Sequence, residues 1–245
     1  MKQENHLAII IPVLNEEGNI EKAIKLIETH IHSKHTVFVI YDFPADRTIP
    51  VVEKLKKENQ NIALIRNRYG RGVANAVKTG FLYVKSGVAV VMAPDKADDP
   101  KTILKMMRKI QGGADIVCAT RYARGGRRLE QSSFKAFLSK CAGISTPLVL
   151  GIPTTDLTNG FKMYKKTVMD AISIESKDGW DFAMEIIIKA FDKGFIITEV
   201  PTISKKRIHG KSKFKLFYWL PNYIHWYIYA LWLRLKRALN RYKVF

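Results

Sequence analysis

Residues 7–13 read LAIIIPV, an unbroken apolar run between polar, turn-forming stretches. An alternating strand leaves one face to water, whereas an unbroken run has two faces to bury, as in a parallel sheet covered by helices on both sides. The chain downstream supplies the rest of such a sheet. A helical stripe follows from about 17 to 31, with Ile20, Ala23, Ile24 and Ile27 on one side. Then come VFVIYD (37–42), a helix over about 49–57, IALIR (62–66), a helix over 73–85, VAVVM (88–92), a helix opened by Pro100, and DIVCAT (115–120). Strands alternating with helices at this spacing predict an open, mostly parallel α/β sheet flanked by helices. After Arg121 the alternation loosens. A basic glycine loop, ARGGRR (123–128), precedes a helix over 132–143. The turn-rich GIPTTDLTNGFKMY (151–164) leads to a short strand, and an amphipathic helix (180–192) precedes a last strand, FIITEVP (195–201).

Of 245 residues, 47% are hydrophobic, which excludes wholesale disorder. Lys and Arg number 41 against 22 Asp and Glu, a net charge of +19 that calls for an anionic partner. Cys118 and Cys141 form neither a disulfide framework nor a zinc spacing. MKQENHL runs directly into a strand, so no signal peptide is expected and a cytoplasmic compartment is the default. Without repeats or linkers, the chain divides into one domain, 1–213, and an extension, 214–245.

That extension is distinctive. Residues 216–233 carry no full charge but three Trp and four Tyr, with Lys and Arg on both flanks. A spanning helix needs about 20 apolar residues, and Pro221, Asn222 and His225 interrupt this one. An amphipathic helix lying on an anionic lipid surface is expected. Insertion, or packing on the domain or a partner, are the alternatives.

In an open α/β sheet, ligands bind outside the carboxyl ends of the strands. VAVVMAPDKADDP (88–100) puts Asp95, Asp98 and Asp99 there, where carboxylates suit a divalent cation bridging phosphate oxygens. Asp98-Asp99-Pro100 equally suits a helix cap. Asp42 ends the second strand, with Asp46 and Thr48 as site or turn residues behind it. NRYGRG (67–72) reads as a phosphate loop or a tight basic turn, and lacks a third glycine. His30, His32 and His35 lie in a helix-to-strand turn, away from those strand ends.

The order of segments carries more than any one of them: IIIPVLNEEGNI, a strand ending in Asp42, NRYGRGVANAVKTGF, VVMAPDKADDP, ATRYARGG, DLTNGFKMY, and EVP followed by KKRIHGKSKFK. This series, over about residues 6–215, resembles the family-two inverting glycosyltransferases with the GT-A fold. Within them it most resembles the branch of dolichyl-phosphate mannosyltransferase and other polyprenyl-phosphate hexose synthases. The resemblance implies transfer of a hexose, mannose favoured, from a GDP- or UDP-hexose to a polyprenyl (dolichyl) phosphate at the cytoplasmic face of a membrane. It puts Pro12, Leu14, Glu16 and Asp42 at the nucleotide base and ribose, and Asp95 as the last acid of an Asp-x-Asp metal motif. Arg121 and Lys135, with Ser139 nearby, face the sugar-phosphate and acceptor phosphate. Arg207, Ser212 and Lys213 fall in a basic loop over the donor diphosphate, and Glu185 lies towards the acceptor end. Ala93 replaces the first acid of the metal motif, Ala97 another ligand, and Tyr41 an acid before Asp42. A magnesium or manganese ion is therefore an open question, with Asp98 as a second ligand or Lys96 as a substitute charge. A soluble or glycan acceptor, and a catalytically impaired homologue, are alternatives within the same fold. The charge also permits nucleic-acid binding, but no binding module is present and none is expected.

Overall fold

The computed structural model describes residues 6–95, 98–129, 134–204 and 216–242. Strands β1 (Leu7–Val13), β2 (His35–Tyr41), β3 (Ile62–Arg66), β4 (Val88–Val91), β5 (Ile116–Thr120), β7 (Lys162–Lys165) and β8 (Ile197–Pro201) form one sheet, ordered β3-β2-β1-β4-β7-β5-β8. A two-stranded ribbon, which the sequence did not suggest, pairs β6 (Arg127–Arg128) with β9 (Ile203–Ser204). Helices α1 (Ile20–His30), α2 (Thr48–Glu58), α3 (Val73–Tyr83), α4 (Lys101–Gln111), α5 (Phe134–Ser145), α6 (Lys166–Ala171), α7 (Phe182–Asp192) and α8 (Leu216–Tyr242) complete the element order. A π-helical turn, Thr146–Leu150, continues α5.

The opening run behaves as its composition requires. Residues Leu7 to Ile11 are fully buried, and β1 pairs in parallel with both β2 and β4. Leu7, Ile9 and Ile11 join the cluster that includes Ile20, Ile24 and Ile27 of α1 and Ile103 and Met106 of α4. Ala8 and Ile10 join the opposite cluster, with Ala74, Ala76 and Val77 of α3 and much of α7. The approach of α3 is close: a Cβ on Gly80 would lie 2.7 Å from an Ile10 side-chain carbon.

One strand departs from the parallel pattern. β7 runs antiparallel to both neighbours, β4 and β5. A parallel strand needs a crossover that returns the chain to its starting end. Here the turn before β7 sits at the carboxyl end of β5, where Asp156 meets Arg121. The chain therefore re-enters the sheet from that end and runs back.

Helix α8 lies against the domain. Trp226 and Ala230 are buried with the α7 cluster, and Tyr227 Oη donates to Ser145 Oγ at 2.9 Å. Arg237 donates to the Phe191 carbonyl and to Asp192, each at 2.9 Å. Its opposite side presents Ile224, Ile228, Trp232, Leu235 and Leu239, exposed by 49–63%. Among the described residues no helix is long and apolar enough to cross a membrane.

Candidate functional site

At the carboxyl end of β1 the chain turns through Asn15, whose φ of 52° is one that Asn tolerates. Buried Asp46 holds the turn. Its two carboxylate oxygens each lie 3.1 Å from the Asn15 amide, and Oδ1 also accepts the Thr48 amide at 2.8 Å. Thr48 Oγ1 accepts the Glu16 amide at 2.9 Å. Asp46 and Thr48 are thus turn residues, Asp46 accepting the Thr48 amide at the start of α2 and Thr48 tying in Glu16. The clamp leaves Leu14 exposed and Pro12 and Glu16 partly exposed at the strand end.

Asp42, one strand over, is held from the NRYGRG turn. Its carboxylate accepts the Gly72 amide at 2.9 Å and Asn67 Nδ2 at 2.8 Å. Gly72 has φ 111°, and a Cβ there would lie 2.6 Å from Asp178 Cα. Arg71 stacks on Phe43 and Arg68 on Tyr83, at 5.1 and 5.2 Å. The segment is a tight basic turn that orients Asp42, and the Gly72 amide a phosphate loop would use is spent on that carboxylate.

The ends of β4 and β5 form one electrostatic cluster. Asp95 is buried. Asp98 turns back so that Oδ2 accepts the Ala93 amide at 3.0 Å. Enclosure pushes the Asp98 carboxyl up to about 7, against the Ala93 hydrogen bond that favours its anion; Asp95 and Asp156 add to the rise and Arg121 opposes it. Asp99 accepts the Lys101 amide at 3.0 Å, as a residue opening α4 would.

Arg121, on the residue after β5, lies in a fork. Nε donates to Asp156 Oδ2 at 2.7 Å, Nη2 to Oδ1 at 2.8 Å, and the Arg121 amide to Oδ2 at 3.1 Å. Burial works against the guanidinium charge, but the Asp156 carboxylate outweighs it and holds that charge more firmly than in water. Such bidentate pairs fix orientation as well as charge.

Other expectations fall differently. Lys135 and Ser139 lie on α5, after Arg121, but their side chains are outside the described residues, as are Lys96, Ala97, Arg207, Ser212 and Lys213. Glu185 differs from its expected role. It is fully buried, and its carboxylate accepts the Glu175 amide at 2.6 Å, the Ser176 amide at 2.9 Å and Lys189 Nζ at 2.6 Å. It staples the 175–176 loop to α7 rather than facing a ligand. His30 and His35 bond to local carbonyls, and His35 also to Glu28. No group of three His, Cys, Asp or Glu among the described residues is arranged to hold a metal ion. Asp156 and Lys162 were not singled out from the sequence. The available signal was a lysine flanked by Phe161 and Met163 within a strand.

The fold is an α/β sheet with acids beyond the ends of β2 and β4 and a forked arginine beyond β5. It is shared with glucosyl-3-phosphoglycerate synthase from Mycobacterium tuberculosis, solved with Mn2+, UDP and phosphoglyceric acid. The TM-score is 0.71 and the identity 14%, over 94% of this chain and 80% of that one. The fold is GT-A. Residues 8–173 match Glycosyl transferase family 2, and the chain belongs to that family. Dolichol-phosphate mannosyltransferase from Pyrococcus furiosus is 29% identical over 214 residues, which make up 85% of this chain and 59% of that protein. Polyprenol monophosphomannose synthase from Mycolicibacterium smegmatis is 26% identical, over 84% of this chain and 79% of the relative. The chain thus spans less than two thirds of the first relative's length.

Proposed function

We propose that this chain transfers a hexose, mannose favoured, from a nucleotide-diphosphate sugar to a polyprenyl phosphate at a membrane surface, with inversion. The observation that carries the reading is the cluster of Asp95, Asp98 and the Arg121–Asp156 fork at the ends of β4 and β5. Asp42 lies on the same side, at the end of β2. Strands lie about 4.8 Å apart, so the ends of β2 and β4, two positions apart in the sheet, are separated by about 10 Å. That separation suits a nucleoside at Asp42, Leu14 and Glu16 with its diphosphate towards Arg121. The names of the two mannosyl relatives support mannose as the sugar and a polyprenyl phosphate as the acceptor class.

The chemistry asks little of a base, because an acceptor phosphate is already anionic at neutral pH. The tasks are in-line positioning and stabilisation of the leaving diphosphate. Arg121 supplies a positive charge held in place by Asp156, and Lys135, Arg207 and Lys213 further positive charge, with Ser139 at the acceptor phosphate. Two carboxylates plus phosphate oxygens are enough for magnesium or manganese. Asp95 would hold that ion, with Asp98 as its neighbour; when bound it would neutralise diphosphate charge. The outer face of α8 would rest on anionic lipid, its apolar stripe running about 22 Å from Ile224 to Leu239 at 1.5 Å per residue.

The test is a thermal-shift panel of GDP and UDP with magnesium, manganese or chelator, followed by transfer from GDP-mannose or UDP-glucose to dolichyl phosphate in vesicles. A ligand of the native state raises Tm by mass action. Stabilisation by one diphosphate and sugar transfer to the lipid are expected. Binding without transfer to lipid, but with transfer to a soluble glycan, replaces the acceptor. No diphosphate binding overturns the reading.

A further inference from the structure

Lys162 occupies an unusual place. It sits in β7, paired between Val91 of β4 and Cys118 of β5, and is fully buried. An ammonium in a sheet interior is costly unless every N–H is bonded. All three acceptors come from one turn: the carbonyls of Asp156 at 3.4 Å, Leu157 at 2.9 Å, and Asn159. The same turn is fastened on its other sides. Thr155 and Thr120 share a hydroxyl bond at 2.7 Å, Thr155 N donates to Glu199 at 2.7 Å, and Asn159 Nδ2 donates to the Ala119 carbonyl at 2.9 Å. From this turn Asp156, itself fully buried, presents its carboxylate to Arg121.

We propose that Lys162 and Asp156 act as a positioning pair, the buried ammonium gathering the 156–159 carbonyls so that Asp156 holds the Arg121 guanidinium ready for an anionic phosphoryl group. Neither residue need touch the substrate. Neutral packing would fill β7 without this charge; the lysine's work is to shape the turn that carries Asp156. The inference rests on the proposed function only in naming the phosphate as Arg121's ligand. The Lys162–turn–Asp156–Arg121 chain is tested independently of it.

Two measurements on the full chain test the pair. In wild type, the Arg121 Nε–H should give a sharp 15N signal exchanging with water at least about tenfold more slowly than that of exposed Arg108. In Lys162→Met that protection should fall. Exchange as fast as Arg108 in wild type, or unchanged protection in Lys162→Met, overturns the chain of contacts whatever the protein binds. The second measurement is calorimetric titration with GDP and with inorganic pyrophosphate for wild type, R121A, K162M and R121A/K162M. Loss of a charge-assisted bond is worth roughly ten- to a hundredfold in Kd. K162M should weaken binding about tenfold alone and have no further effect in the R121A background, the signature of action through Arg121. Equal loss in both backgrounds means a general structural role and overturns the inference. If K162M does not fold, D156N replaces it in both experiments with the same expectations. If wild type binds neither ligand while Arg121 Nε–H is protected and loses that protection in the variant, the proposed function fails and the positioning pair stands.

Discussion

The outer face of α8 makes the membrane reading quantitative. Ile228 and Leu235 lie on one side of the helix, exposed by 60% and 63%, and neither is in a core cluster. Fully burying such a side chain is worth about 1.5–3 kcal/mol relative to exposure. With nearly two thirds of each still open, entry into the headgroup–acyl boundary returns roughly 1–2 kcal/mol per residue. Ile228→Glu with Leu235→Glu removes both gains and adds two charges that anionic lipid repels. The vesicle partition coefficient should fall about thirtyfold to a thousandfold, from roughly 2–4 kcal/mol at tenfold per 1.4 kcal/mol. The assay is co-sedimentation with phosphatidylglycerol-containing vesicles at fixed ionic strength. Because both positions face outward, Tm should hardly move; surface changes of this kind are usually within about 0.5 kcal/mol. Undiminished vesicle binding by the double variant, at unchanged Tm, would refute the assignment of this face to lipid.

Asp95→Ala should abolish hexose transfer while leaving the urea-unfolding midpoint nearly unchanged; full activity in that variant removes Asp95 from the site. For Asp98 the sign is that of a carboxyl harder to ionise folded than unfolded. Between its unfolded value of 3.8 and about 7 the native state binds the extra proton. Stability should therefore fall with rising pH across that window, by at most about 1.4 kcal/mol per pH unit from this group. Asp98→Asn should flatten the fall, read as Tm from pH 4 to 8; an identical slope in the variant contradicts it. Glu185→Ala strands two amides and leaves Lys189 a partner short. A loss of about 3 kcal/mol by urea denaturation is expected, and a change under about 0.5 kcal/mol would show that the staple is not structural.

Much of the fold was legible because burial on two faces leaves a plain mark. LAIIIPV and VAVV are continuous apolar runs, and both became central strands of the sheet. The direction of β7 was not legible. FKMY reads alike either way, and its sense depends on where the preceding turn docks. Asp42 and Asp95 could be placed beyond strand ends because a strand followed by an acid is a local pattern. The work of Asp156 and Lys162 could not be seen, since each acts on residues distant in sequence or on backbone carbonyls that no motif encodes. Glu185 misled for the related reason that an acid early in an amphipathic helix looks alike whether it faces a ligand or a neighbouring loop.

The two-sidedness of α8 has a geometric consequence. Trp226 donates its indole N–H to Asp181 at 3.3 Å, and Asp178 of the same loop accepts the Val73 amide beside the Asp42 turn. A short series of hydrogen bonds therefore joins the helix to the turn that holds Asp42. Whatever plane the oily side of the helix settles on, the Asp42 turn is carried to it through these bonds, like a tool in a jig rather than a weight on a string.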